Sequence, residues 1–126
     1  MIEKLKAFLN LNQIQFKSIK GNRNVITFSI GNLNFLAEYN KEQDPTFFRM
    51  MLPCVAKFEN NPNTSIQIIK SITSRYKCGK VIIIGDYIWL SVESFIFGNI
   101  DAPNLFSIMI KVLRDMINEY RRINHY

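Results

Sequence analysis

The side chains able to do chemistry are few and scattered. His125 is the only histidine and stands one position from the C-terminus, where chain ends fray and a general base or metal ligand is poorly held. Ser91 and Ser94 flank Glu93, but a hydrolase triad needs an imidazole to take the seryl proton, and the sequence offers none nearby. Glu38, Asp86 and Glu93 fall in predicted strands and turns, where carboxylates face water rather than being pressed into an acid–base pair. The five glycines build neither a phosphate-cradling loop nor a dinucleotide fingerprint. Cys54 and Cys78 lack the CxxC spacing of a metal or redox site, so they read as free thiols serving as small apolar residues. Asn63-Thr64-Ser65 fits a glycosylation acceptor, a chance match in a chain with no export signal. These residues predict a protein without catalytic activity, metal or cofactor.

Composition sets the frame for what such a protein can be. With 48% hydrophobic and 21% charged residues in a chain of 126, one globular domain spanning 1–126 and one core are expected. No apolar run reaches the roughly 18 residues of a membrane span. The segment Met1 to Asn10 interleaves Glu3, Lys4 and Lys6 with apolar residues, unlike the h-region of a signal peptide, so a cytoplasmic protein is predicted. The formal charge of +6 is concentrated at the ends. Lys4, Lys6, Lys17, Lys20 and Arg23 stand against Glu3 alone, and Lys111, Arg114, Arg121 and Arg122 stand against Asp115 and Glu119. A basic surface at joined termini would attract nucleic acid or an acidic protein, whereas a solvated helix face is the plainer reading and the preferred one.

The elements that position these residues follow from periodicity. Ile2, Leu5, Phe8 and Leu9 recur at helical spacing and predict a helix over 2–12. Residues 14–20 alternate weakly as a strand lead-in ending at Gly21-Asn22. Strands 24–30 and 33–39 flank Gly31-Asn32, a hairpin turn. Pairing across it sets Ile26, Phe28, Ile30, Leu33, Phe35 and Ala37 on a core face. After a polar loop at 40–45, residues 46–57 predict a third strand, with Phe48, Met50, Leu52 and Cys54 inward and Pro53 marking an edge or bulge. Asn60 to Thr64 breaks the chain, and Asn63 or Thr64 would cap a helix with Ile66, Ile69, Ile72, Thr73 and Tyr76 on its apolar side. Gly79 would close that helix in a left-handed conformation. A second hairpin turns at Gly85-Asp86, with Val81, Ile83, Ile88, Leu90 and Val92 inward. Asp101 then caps a long helix whose apolar stripe, Leu105 to Ile123, is wider than one partner surface requires.

The predicted fold class is therefore α+β, in the order α-βββ-α-ββ-α, with helices packed on an antiparallel five-stranded sheet. At this point the chain resembles the YbjN-like proteins, which share the fold of type III secretion chaperones. The resemblance rests on Val25 to Ile30 with Leu33 to Tyr39, Phe48 to Pro53, the helix end Ser74 to Gly79, and Lys80 to Ile84 with Ile88 to Glu93. It implies a small cytoplasmic bacterial protein without enzymatic activity. Members similar to secretion chaperones bind extended polypeptides along an apolar sheet surface and often pair as homodimers, while the YbjN-like members carry a general label as regulators of sensory transduction. The resemblance supplies no residue-level motif.

Candidate contact residues must come from the chain itself. Leu36, Phe47, Arg49, Met51, Ile82, Ile84, Tyr87 and Trp89 fall on the strand faces opposite the predicted core. If the helices cover one face only, these side chains form an exposed interaction surface for another polypeptide. If the first or last helix folds over them, they are ordinary core. A single-stranded nucleic acid stacked on Tyr87 and Trp89 is the competing ligand. It ranks second because Ile82 and Ile84, not Lys or Arg, flank those rings.

Overall fold

The structure, a computed structural model, describes residues 1–40, 46–57 and 62–124. The predicted polar loop at 40–45, the break at Asn60-Asn61 and His125 lie largely or wholly outside the described residues. Among the described residues three helices, α1 (Ile2–Leu11), α2 (Pro62–Arg75) and α3 (Ala102–Asn124), accompany six strands. These are β1 (Phe16–Ile19), β2 (Asn22–Ile30), β3 (Leu33–Asn40), β4 (Phe47–Lys57), β5 (Gly79–Ile84) and β6 (Tyr87–Phe95). The sheet order is β1-β2-β3-β4-β6-β5, antiparallel throughout. Six strands replace the five expected, because the weak lead-in turns at Gly21 and pairs with β2.

Both long hairpins turn as predicted. Gly31 and Gly85 hold φ of +61° and +59° at the first turn position, the conformation a type II′ hairpin requires and a Cβ resists. Ile30↔Leu33 and Ile84↔Tyr87 close the two turns. That register sends Ile26, Phe28, Phe35, Ala37, Phe48, Met50, Leu52, Ile88, Leu90 and Val92 into one core.

All three helices pack on that core. α3 lies across β4, β5 and β6, with α1 beside it over β2 and α2 beside it over β5. Phe106 sits between layers, its ring 5.5 Å from Phe48 and 5.6 Å from Phe8. The excess width of the α3 stripe is thus covered by the two neighbouring helices. Asp101 caps α3 as expected, its Oδ1 accepting from the Asn104 N–H.

Five local expectations need correction, the first being Ile83, expected inward but 43% exposed near the end of β5. α2 begins at Pro62, so Asn63 and Thr64 lie within its first turn rather than at its cap. Its inward positions are Ser65, Ile68 and Ile72, while Ile66 and Thr73 are exposed. Gly79 is not left-handed. It opens β5 at a close approach, where a Cβ would lie 2.9 Å from both Met116 Sδ and Tyr76 Cβ. Cys54 and Cys78 are free thiols as predicted but exposed. At Cys54 a bulge follows Pro53, φ reaches +50°, and the β4–β6 register shifts between Leu52 and Ala56, which turns the thiol out of the core face.

α2 and α3 are also tied by charge. The Glu119 carboxylate of α3 is buried, accepting from Arg75 Nη1 of α2 at 2.7 Å, Ser71 Oγ at 3.3 Å and Arg122 Nη2 at 2.6 Å. The Arg122 hydrogen bond and the two guanidinium charges hold its pKa below the ordinary glutamate value, against the opposing effect of burial. Because the folded pKa lies below the unfolded one, this stabilisation is complete above about 4.3 and is lost as pH falls through the depressed value. Glu119→Gln is expected to lower stability at neutral pH by about 1–3 kcal/mol. In urea melts the gap to wild type should close as pH drops below that range; a pH-independent gap would refute the linkage. Gly79→Ala should cost about 1–3 kcal/mol through overpacking against Tyr76 and Met116, and an unchanged urea midpoint would show that Met116 yields freely.

Candidate functional site

Because side chains alternate across a strand, the residues between the core positions all point away from the helices. Their order follows from the ladders. A central row runs Lys17, Thr27, Leu36, Met51, Ser91, Lys80 across the whole sheet. On one side of it lies Val25, Glu38, Arg49, Glu93, and beyond that Asn40, Phe47, Phe95. On the other side Trp89 stands opposite Ile82, and Tyr87 lies between Lys57 and Ile84. None of Leu36, Phe47, Met51, Ile82, Ile84, Tyr87 and Trp89 belongs to the helix-covered core, and among the described residues no helix covers this face.

All eight residues predicted for the site therefore share the open face, but they do not form one patch. Ile82, Ile84, Tyr87 and Trp89, with Leu36 and Met51 beside them, make an apolar pole at the β5–β6 end. Ile84 and Tyr87 are 46% and 42% exposed, whereas Met51 is only 3% exposed and acts as floor. Phe47 lies at the opposite pole, paired with Phe95, six β6 residues or roughly 20 Å from Trp89 by strand geometry.

Between the poles runs a band of paired charge. Arg49 Nη2 reaches both Glu38 oxygens at 3.3 Å, and Lys80 Nζ reaches Glu93 at 3.2 Å. Ser91 in the middle is fully buried, its hydroxyl 3.5 Å from Glu93. Among the described residues Arg49 Nε and Trp89 Nε1 are buried donors without an acceptor, a condition that costs about 1–3 kcal/mol each.

The sequence reading missed Phe95 and Phe97. Phe95 is opposite Phe47 and 58% exposed, and its ring lies 6.1 Å from that of Phe97. The signal was available, since the alternation that placed Trp89 and Glu93 on this face continues to Phe95. Beside these rings a cleft of about 600 Å³ is lined by Phe47, Phe95, Lys77 and Lys80 among others. The arrangement can bind apolar and aromatic groups at two poles and polar backbone between them. Among the described residues no three His, Cys, Asp or Glu side chains gather as a metal site.

No family model and no curated protein sequence matches the chain. Its structure is similar to a crystal structure of YbjN from E. coli, described as "a putative transcription regulator", with a TM-score of 0.55 at 11% sequence identity. The match covers 93% of this chain and 85% of that one. The fold is YbjN-like.

If the apolar pole is open, the native protein should enhance the fluorescence of a hydrophobic dye. Ile84→Ser and Tyr87→Ser together should lower that signal while each shifts unfolding free energy by less than about 0.5 kcal/mol, as for surface positions. Loss of folding stability with no change in dye signal would place these side chains in the core.

Proposed function

We propose that this protein is a non-catalytic polypeptide-binding domain, chaperone- or adaptor-like, which receives its partner in the cytoplasm on the bare face of a YbjN-like sheet. The observation that carries the reading is the asymmetry of the layers. Three helices share one face, and the other keeps Trp89, Tyr87, Ile82 and Ile84 at one pole and Phe47 and Phe95 at the other. Tyr, Trp and Arg are enriched where interfaces are most tightly packed. The buried donors Arg49 Nε and Trp89 Nε1 are groups that a partner's carbonyl could satisfy after a small side-chain shift. A partner laid along β6 would touch both apolar poles and cross the charged band, which suits an extended segment with apolar residues near its two ends. This is the mode of a secretion chaperone with its client, and that kinship is part of the proposal. Among the described residues no helix is long and apolar enough to cross a membrane, which is compatible with it.

Single-stranded nucleic acid remains the second reading, favoured by the aromatic pair Tyr87 and Trp89 and by the description of the YbjN neighbour as "a putative transcription regulator". Against it, Arg49 and Lys80 are each neutralised by a carboxylate on the same face, which weakens the pull on a phosphate chain.

Trp89 is the only tryptophan, so the face reports on itself. Wild type and a Phe47→Ser/Trp89→Ser variant with unchanged circular dichroism are used as bait in extracts of the source cells. A polypeptide retained by wild type alone, which when purified shifts Trp89 emission, is the expected result. Salt-sensitive recovery of nucleic acid would favour the second reading, and identical catches from both baits would dismiss the face.

A further inference from the structure

The cleft beside Phe47 and Phe95 is assembled from three distant parts of the chain. Phe47 opens β4, Phe95 ends β6, and Lys77 and Cys78 form the turn that carries α2 into β5. Its aromatic wall is left in water. Phe95 is 58% exposed, and Phe97, whose ring lies 6.1 Å from it, is 68% exposed, so apolar area there gains by being covered. At about 600 Å³ the cleft falls within the size range of small-ligand sites.

The charged side chains that line it are Lys77, Lys80 and Glu93. Glu93 is engaged, accepting from Lys80 Nζ at 3.2 Å and from the Ser91 hydroxyl at 3.5 Å. Lys77 is exposed, and among the described residues no carboxylate lies within ion-pair distance of it. The cleft therefore carries one uncompensated positive charge. Lys80 reinforces it, because an ammonium has three donors and Glu93 occupies one of them. Open carbonyls at the C-terminal end of α2 would oppose an anion, but this turn engages its own. Tyr76 C=O accepts from the Gly79 N–H at 3.0 Å, and Cys78 C=O accepts from the Glu93 N–H at 3.4 Å.

We propose that this cleft binds a small aromatic carboxylate, its ring against Phe47 and Phe95 and its carboxylate held by Lys77 and Lys80. Each part of the ligand answers something the protein leaves open. The ring covers exposed aromatic area in the offset or tilted geometry that such rings prefer. The single negative charge matches the single unpaired positive one. A neutral aromatic leaves Lys77 uncompensated, an aromatic amine sets like charge beside it, and a phosphate monoester brings nearly two negative charges at neutral pH. A polypeptide crossing the cleft would offer Lys77 only uncharged backbone at this point. The site goes beyond the polypeptide-binding reading and stands whether or not that reading holds. If both hold, ligand and polypeptide share Phe47 and Phe95 and compete for them.

The two free thiols supply the readout. Cys78 lines the cleft, while Cys54, also exposed, lines a separate recess beside Arg121. Alkylation of the wild-type protein by iodoacetamide, a neutral reagent, is followed at both cysteines by peptide mass spectrometry, with and without naphthylacetate. Naphthylacetate is expected to slow labelling of Cys78 and leave Cys54 unchanged. Its neutral amide, naphthylacetamide, should protect at least about tenfold more weakly, the worth of one charge-assisted hydrogen bond. Lys77→Gln, at an exposed position, is expected to shrink the preference for acid over amide, and Phe95→Ser to weaken protection by both. Equal protection by acid and amide in wild type, slowing at both cysteines alike, or no protection at millimolar ligand overturns the proposal, as does a Lys77→Gln protein that keeps the full preference. Protection of Cys78 by a captured polypeptide but not by naphthylacetate also overturns it, assigning the cleft to the polypeptide and leaving the polypeptide-binding reading intact.

Discussion

Helix α3 presents Phe106, Met109, Ile110, Leu113, Met116, Ile117 and Tyr120 over more of its surface than a sheet alone can cover. Burial of that apolar area is the largest favourable term available to a chain this size, and the sheet satisfies only part of it. α1 and α2 satisfy the rest by lying on either side of α3, which draws every helix to one side. The bareness of the other face is therefore a consequence of the width of one helical stripe. The Glu119 cluster belongs to the same arrangement, fixing α2 against α3 through a carboxylate whose partners come from both helices.

Much of this was legible from residue spacing. The hairpins at Gly31-Asn32 and Gly85-Asp86 declare themselves because a two-residue turn fixes register and the period-2 pattern then assigns every side chain to a face. The stripes of α1 and α3 were equally plain. α2 was harder, since isoleucines at 66, 68, 69 and 72 fit two helical phases. The phase adopted tucks the small Ser65 inward beside Ile68 and Ile72. β1 was underread because only four residues pair and three of them are exposed. The exposure of Cys54 was hidden because alternation cannot anticipate a bulge, although Pro53 hinted at one. Gly79 was assigned a conformational role when its actual constraint is steric and comes from Met116, far away in the chain.

The candidate site was legible as a face but not as a shape. Alternation alone put Leu36, Phe47, Arg49, Met51, Ile82, Ile84, Tyr87 and Trp89 together. It could not show that Arg49 and Lys80 would each find a carboxylate and divide the apolar residues into two poles, since that depends on which strands become neighbours. The decisive neighbour is β6, inserted between β4 and β5. It brings Glu93 beside Arg49 and Phe95 beside Phe47, pairings between positions that sequence distance gives no reason to connect.

That insertion has a kinetic consequence. Every other strand pair in the sheet joins consecutive strands through a turn or short loop, so those pairs form locally. The β4–β6 ladder alone spans an intervening helix and strand, and its residues, from Lys57↔Tyr87 to Phe47↔Phe95, meet only after a long loop closes. The sheet is thus a four-stranded meander and a two-stranded hairpin that must find each other, with α2 tethering the two. High sequence separation at one seam raises contact order where it matters most, making the encounter of meander and hairpin the step that sets how fast this chain folds.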